Sequence, residues 1–137
     1  MICEINEIEK IVKEVGDVIS GRDCVVLLRG DLASGKTTFV KHFVKSKQID
    51  SAVTSPTFSL QAIYGDKIFH YDVYNKTLGE FLSLGMFEEF EKKGIHFVEW
   101  GEENLEKLLV DFGFAVFVLK IKKIDNKREY LIEQINS

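Results

Sequence analysis

Eight consecutive residues, Gly30-Asp31-Leu32-Ala33-Ser34-Gly35-Lys36-Thr37, follow the pattern G-x-x-x-x-G-K-[ST]. The pattern suits one kind of chemistry, the holding of a polyphosphate. Its glycines let the backbone turn so that successive N–H groups point at phosphate oxygens. The loop opens a helix, whose N-terminus favours an anion. Lys36 is spaced to reach the outer phosphates, and the Thr37 hydroxyl to hold Mg²⁺. At average composition such a match arises by chance in about one chain in a few hundred of this length.

A phosphate loop also needs a second acidic group for the metal or the attacking water. Ile95-His96-Phe97-Val98-Glu99 is a mostly apolar run that delivers Glu99 at its end. Ligands of open α/β sheets bind just outside the carboxyl ends of the strands. A solvated glutamate at a strand end is the competing interpretation. In His70-Tyr71-Asp72-Val73-Tyr74, residues 70, 72 and 74 share one strand face. No further His or Cys completes a metal site there, and a plain solvated face fits as well. Thr54-Ser55-Pro56-Thr57 is a hydroxyl-rich loop that either approaches a γ-phosphate, as switch loops do, or is a simple turn. His42 and His96 are expected to be structural. Lys41, Lys45 and Lys47, with the basic residues of 120–128, read as a solvated helix face and strand edge, or as a contact for RNA or an acidic partner.

The elements that must position these groups follow from periodicity. Apolar residues recur every three to four positions over residues 6–20, which predicts a helix stopped by Gly21. Residues 24–28 form a buried strand running into the loop, and residues 36–47 the helix leaving it. Residues 49–53 suggest a second strand, broken before Pro56. Residues 58–64 and 67–71 flank Gly65-Asp66 as a hairpin. Residues 78–93 are helical and split at Gly85, residues 95–100 are a strand, and a short helix follows Gly101. Residues 114–124 and 128–132 are a strand and its return, turned at Asp125-Asn126. The class is α/β, a P-loop NTPase-like mixed β-sheet with helices on both faces.

At 137 residues the chain is expected to be a single domain over residues 1–137. Cys3 and Cys24 are too few for a disulfide scaffold and read as buried thiols. No apolar run is long enough for a membrane span. The early acid in MICEINEIEK does not suit a secretory leader, so a cytoplasmic location is expected. A net charge of −4 weakens any unaided nucleic-acid binding.

GDLASGKTT, SPTF, HYDVY and EWGE, in this order and spacing, resemble the TsaE family over most of the chain. These are small bacterial P-loop ATPases of tRNA threonylcarbamoyladenosine formation. The resemblance implies binding of ATP or ADP with Mg²⁺, and TsaD and TsaB as partners, with tRNA met through that complex and no membrane. It implies that Asp31, Leu32, Ala33, Ser34, Gly35, Lys36, Thr37 and Thr38 line the phosphates, with Trp100 beside them. Lys36, Asp72 and Glu99 would serve catalysis, and Thr37 and Glu99 the metal. Ser55 and Thr57 match a switch-like segment, and Tyr74 the end of H-x-D-x-Y.

Two positions depart from the family pattern: Ala33-Ser34 replaces Gly-Ala, and Asn75 replaces an arginine. Two other functions compete with the ATPase. A small metabolite or nucleoside kinase also carries a P-loop but needs an arginine-built lid, and no arginine lies between Thr37 and Asn126. A binding module would use nucleotide only to order a docking surface. Arg22, Arg29 and Arg128 are poorly placed in the sequence to stand over a γ-phosphate, so a partner is expected to supply that charge or to order the 55–57 and 72–74 segments against the nucleotide.

Overall fold

The computed structural model describes residues 1–19, 21–31, 35–49, 52–54, 60–74 and 76–136. Ile8, Ile11, Val12, Val15 and Ile19 line one face of helix α1 (Ile8–Ile19), which buries that stripe against the sheet. A single 3-10 turn, Ile5–Glu7, precedes it, and a three-residue strand β1 (Ile2–Glu4) that periodicity is too short to reveal comes first. Strand β2 (Cys24–Arg29) is buried along nearly its whole length, as its apolar run demands. Gly35, at φ 101, then caps helix α2 (Lys36–Ser46).

Next come β3 (Ala52–Thr54), β4 (Gln61–Tyr64) and β5 (Ile68–Asp72). The predicted hairpin at Gly65-Asp66 forms, with β4 and β5 antiparallel. The strand expected over residues 49–53 is displaced to Ala52–Thr54 at the sheet edge. The helical stretch splits at Gly85, φ 76, into α3 (Leu78–Ser83) and a 3-10 helix, Met86–Glu91. Strand β6 (Ile95–Glu99), helix α4 (Glu103–Asp111) and the hairpin β7 (Val116–Ile124) and β8 (Lys127–Gln134) complete the chain.

One mixed eight-stranded sheet results, in the order β1-β8-β7-β2-β6-β5-β4-β3. Strands β7, β2, β6 and β5 are mutually parallel, and the two flanks add antiparallel strands. Alternation along each strand sends Val26, Leu28, Phe97 and Leu119 to the face covered by α1 and α2. Val25, Leu27, Val98 and Val118 go to the opposite face, under α3 and α4. Helices therefore flank the sheet on both faces, as expected. Both cysteines are buried free thiols, and burial pushes Cys24 up to about 12. Among the described residues, no helix is long and apolar enough to cross a membrane.

Candidate active site

The carboxyl ends of β2, β6 and β5 converge. Leu28 pairs with Glu99, and Glu99 pairs with Asp72. Because Phe97 faces α2, Glu99, two residues on, faces α2 as well. It meets the first turn of that helix, where the Thr37 hydroxyl lies 2.8 and 3.0 Å from the two Glu99 carboxylate oxygens. Glu99 is 4% exposed, so its charge needs partners. Thr37 is one, and a second comes from β5, with His70 Nε2 2.5 Å from Glu99 Oε2. Burial, the largest influence on Glu99, pushes its carboxyl up. The hydrogen bonds from His70 and Thr37, with the His70 and Lys36 charges, outweigh it and hold the carboxyl below its ordinary range.

Lys36 is buried at 3% exposure. Its ammonium donates to the Gly30 carbonyl at 2.5 Å, across the mouth of the loop. It also lies 3.3 Å from the centroid of the Trp100 ring. Burial pulls the Lys36 amine below its ordinary value, and the charges of Glu99, Asp72 and Asp31 oppose that pull. Trp100 ends β6 one residue earlier than periodicity predicts, because it turns into the left-handed region at φ 70. For a residue with a β-carbon this costs about 1–2 kcal/mol. The turn lays the indole over Lys36 and 4.9 Å from the Tyr74 ring. A cavity of about 600 Å³, lined by Arg29, Gly30, Lys36, Trp100 and Glu102, opens beside the loop.

Of the residues expected at a site, Lys36, Thr37, Glu99 and Trp100 come together, with Gly35 as the helix cap. Asp72 sits beside Glu99 at the end of β5, exposed, and accepts the Tyr74 N–H at 3.1 Å. Asp31 and Thr38 are exposed at the loop and on the first turn of α2. Leu32, Ala33 and Ser34, the Ser55 and Thr57 segment, and Asn75 lie outside the described residues.

His70 is the functional neighbour that spacing alone does not single out. Residues 70 and 72 clearly share a face, but only the pairing of β5 with β6 brings that face to Glu99. His42 joins α1 to α2 through Glu9, 2.9 Å away. His96 is a core histidine, bonded to Tyr71 and to the Lys92 carbonyl. Arg29 is engaged elsewhere. Its Nε donates to Gly101 O at 3.3 Å, and its Nη2 forms a 2.8 Å ion pair with Glu106 without hydrogen-bond alignment.

A buried strand, a glycine-bounded loop and a helix begun by Lys-Thr, set in a mixed sheet covered on both faces, define a P-loop α/β protein. The model of the family described as threonylcarbamoyl adenosine biosynthesis protein TsaE matches residues 2–130, and the chain belongs to that family. Among its relatives, a tRNA threonylcarbamoyladenosine biosynthesis protein TsaE of Bacillus subtilis is 32% identical over 123 residues, 82% of this chain and 77% of that protein. The protein of the same name from Treponema pallidum is 40% identical over 87 residues, 61% of this chain and 64% of its own length. That from Rickettsia prowazekii is 41% identical over 112 residues, 76% and 72% of the two chains.

Proposed function

We propose that this protein is a cytoplasmic Mg-ATPase of tRNA threonylcarbamoyladenosine formation, working with TsaD and TsaB. The observation that carries this reading is the meeting of Thr37 and Glu99 beside buried Lys36 at the carboxyl end of the parallel strands. The donor set fits a magnesium nucleotide: a hydroxyl and a carboxylate are the hard oxygen ligands Mg²⁺ prefers. The N–H groups of Gly35, Lys36 and Thr37 would hold the phosphates, with Lys36 as a fixed cation among them. Thr37 and Glu99 would hold the metal, which when bound neutralises charge developing on the transferred phosphoryl group.

What this chain contributes is position. His70 and Thr37 fix both oxygens of Glu99, so the carboxylate is aimed before any ligand arrives. Asp72 stands beside Glu99, where it can orient a water. Hydrolysis is slow in the isolated chain and rises on assembly, because the partners order the segments beside the nucleotide or add charge to it.

Phosphate release tests this, measured for the chain alone and with TsaB and TsaD. We expect little release alone, a clear rise in the complex, and loss of nucleotide binding in Lys36→Ala. Unchanged affinity in Lys36→Ala overturns the site. Kinase-like turnover of the isolated chain, with no effect of partners, favours the kinase instead.

A further inference from the structure

Strand β7 stays in parallel register with β2 as far as Arg29, opposite Lys120, and then continues past the end of β2 to Ile124. The turn at Asp125, φ 51, and Asn126 sends β8 back, so that Arg128 lies opposite Lys123. Arg128 thus stands three residues beyond the level of Arg29, about 10 Å further along the strand direction. That is the level of the phosphate loop. Arg128 is also fastened from the other side, opposite Cys3 of β1.

Its direction follows from its neighbour. Tyr130, two residues on and so on the same face, is buried beneath α2, with its ring 6.5 Å from that of Phe39. Phe39 lies one helical turn beyond Gly35, to whose carbonyl its N–H is bonded at 2.9 Å. The rung outside Tyr130–Phe39 is therefore Arg128–Gly35. Arg128 Nε lies 3.8 Å from the point where a β-carbon on Gly35 would stand.

That point has a meaning in a phosphate loop. A glycine there leaves the space through which an anion reaches the backbone N–H groups. Arg128 borders the space. A guanidinium offers N–H donors in a planar fork matched to phosphate oxygens, and one Nη1–H is turned back to the Lys127 carbonyl at 3.2 Å.

We propose that Arg128 is a phosphate-binding residue of this site, supplied by the β7–β8 hairpin to the side of the loop at Gly35. This rests on the nucleotide-binding reading. It replaces the sequence-based expectation that none of the three arginines serves the phosphates: the hairpin returns to the loop an arginine that is 91 positions from Thr37 in the chain.

The test is titration of Mg-ADP and Mg-ATP into the intact chain and into Arg128→Gln, Arg128→Lys, Lys123→Gln and Lys36→Ala. Arg128→Gln should weaken both nucleotides about tenfold, the scale of one charge-assisted contact. Arg128→Lys should recover part of that loss. Lys123→Gln removes the same charge from the directly paired position and should change affinity less than about twofold, because a screened charge without contact contributes little. Equal thermal midpoints for the wild type and Arg128→Gln exclude a general loss of fold; if they are unequal, recovery of binding in Arg128→Lys still supports the contact and no recovery overturns it. If the wild type binds and Arg128→Gln binds equally well, the proposal is overturned and the nucleotide site stands. The same loss in Lys123→Gln as in Arg128→Gln overturns it in favour of a diffuse field. If the wild type binds no nucleotide, both readings fall together.

Discussion

The indole of Trp100 covers the ammonium of Lys36, with the nitrogen 3.3 Å from the ring centroid. A cation desolvated against an aromatic face gains about 2 kcal/mol, the same scale as the strain of holding Trp100 at positive φ. The two effects are of similar size, so the indole is held over Lys36 at little net cost.

Intrinsic fluorescence should therefore report nucleotide. Trp100 is the only tryptophan, so its signal has a single source. Saturating Mg-ADP should change the emission as phosphate competes for the Lys36 ammonium. Lys36→Ala should show a different starting spectrum and no nucleotide response. An unaltered starting spectrum in that variant would mean the ring does not lie on the lysine in solution.

His70 reaches Glu99 Oε2, the oxygen that also lies nearer the Thr37 hydroxyl. Removing an outer partner of a metal-holding group commonly lowers metal affinity or activity about 10–100-fold. His70→Ala should thus raise the Mg²⁺ concentration needed for half-maximal phosphate release by the assembled complex, at least about tenfold, while Mg-free nucleotide binding stays near wild type. Glu99→Gln should abolish the release itself. A His70→Ala enzyme with the wild-type Mg²⁺ requirement would assign His70 to packing alone.

The legibility of this chain in its sequence divides along physical lines. Strand β2, α2 and β6 could be read because each carries a strong local pattern: an unbroken apolar run, a 3.6-residue stripe, or a glycine-bounded loop. Lys36, Thr37 and Glu99 came with them. His70 and Arg128 could not be assigned, since their neighbours are set by strand pairing. His70 reaches Glu99 only because β5 lies beside β6, and Arg128 reaches Gly35 only because β7 outruns β2. Strand β1 was hidden for another reason. Three residues are too few for a period, and the strand exists because β8 offers it an edge. The early end of β6 is likewise set outside the run, by the left-handed turn that places Trp100 on Lys36.

His96 should impose an acid limit on stability. It is buried at 1% exposure, stacked on the ring of Phe69 at 4.4 Å and with the Tyr71 ring 5.7 Å away. Its Nε2 lies 2.7 Å from the Lys92 carbonyl, an acceptor, so Nε2 carries the proton and donates. Nδ1 then accepts from the Tyr71 hydroxyl at 2.7 Å. Both ring nitrogens are satisfied in the neutral form, and a second proton would put a charge in the core. Burial, the largest influence, accordingly lowers the His96 value below 6.5, outweighing the Lys92 carbonyl and the Glu89 charge. With the folded value depressed, the unfolded chain binds more protons in the window just below 6.5. The stabilising contribution is therefore complete above about pH 6.5 and is lost as pH falls from there toward the folded value, at up to about 1.4 kcal/mol per pH unit. His96→Gln keeps a donor for Lys92 but cannot titrate. It should be less stable at pH 8, through poorer ring packing, yet lose less of its stability between pH 7 and pH 5. Denaturant unfolding at several pH values measures both curves. Parallel curves for the two proteins would show that His96 takes up its proton without cost to the fold.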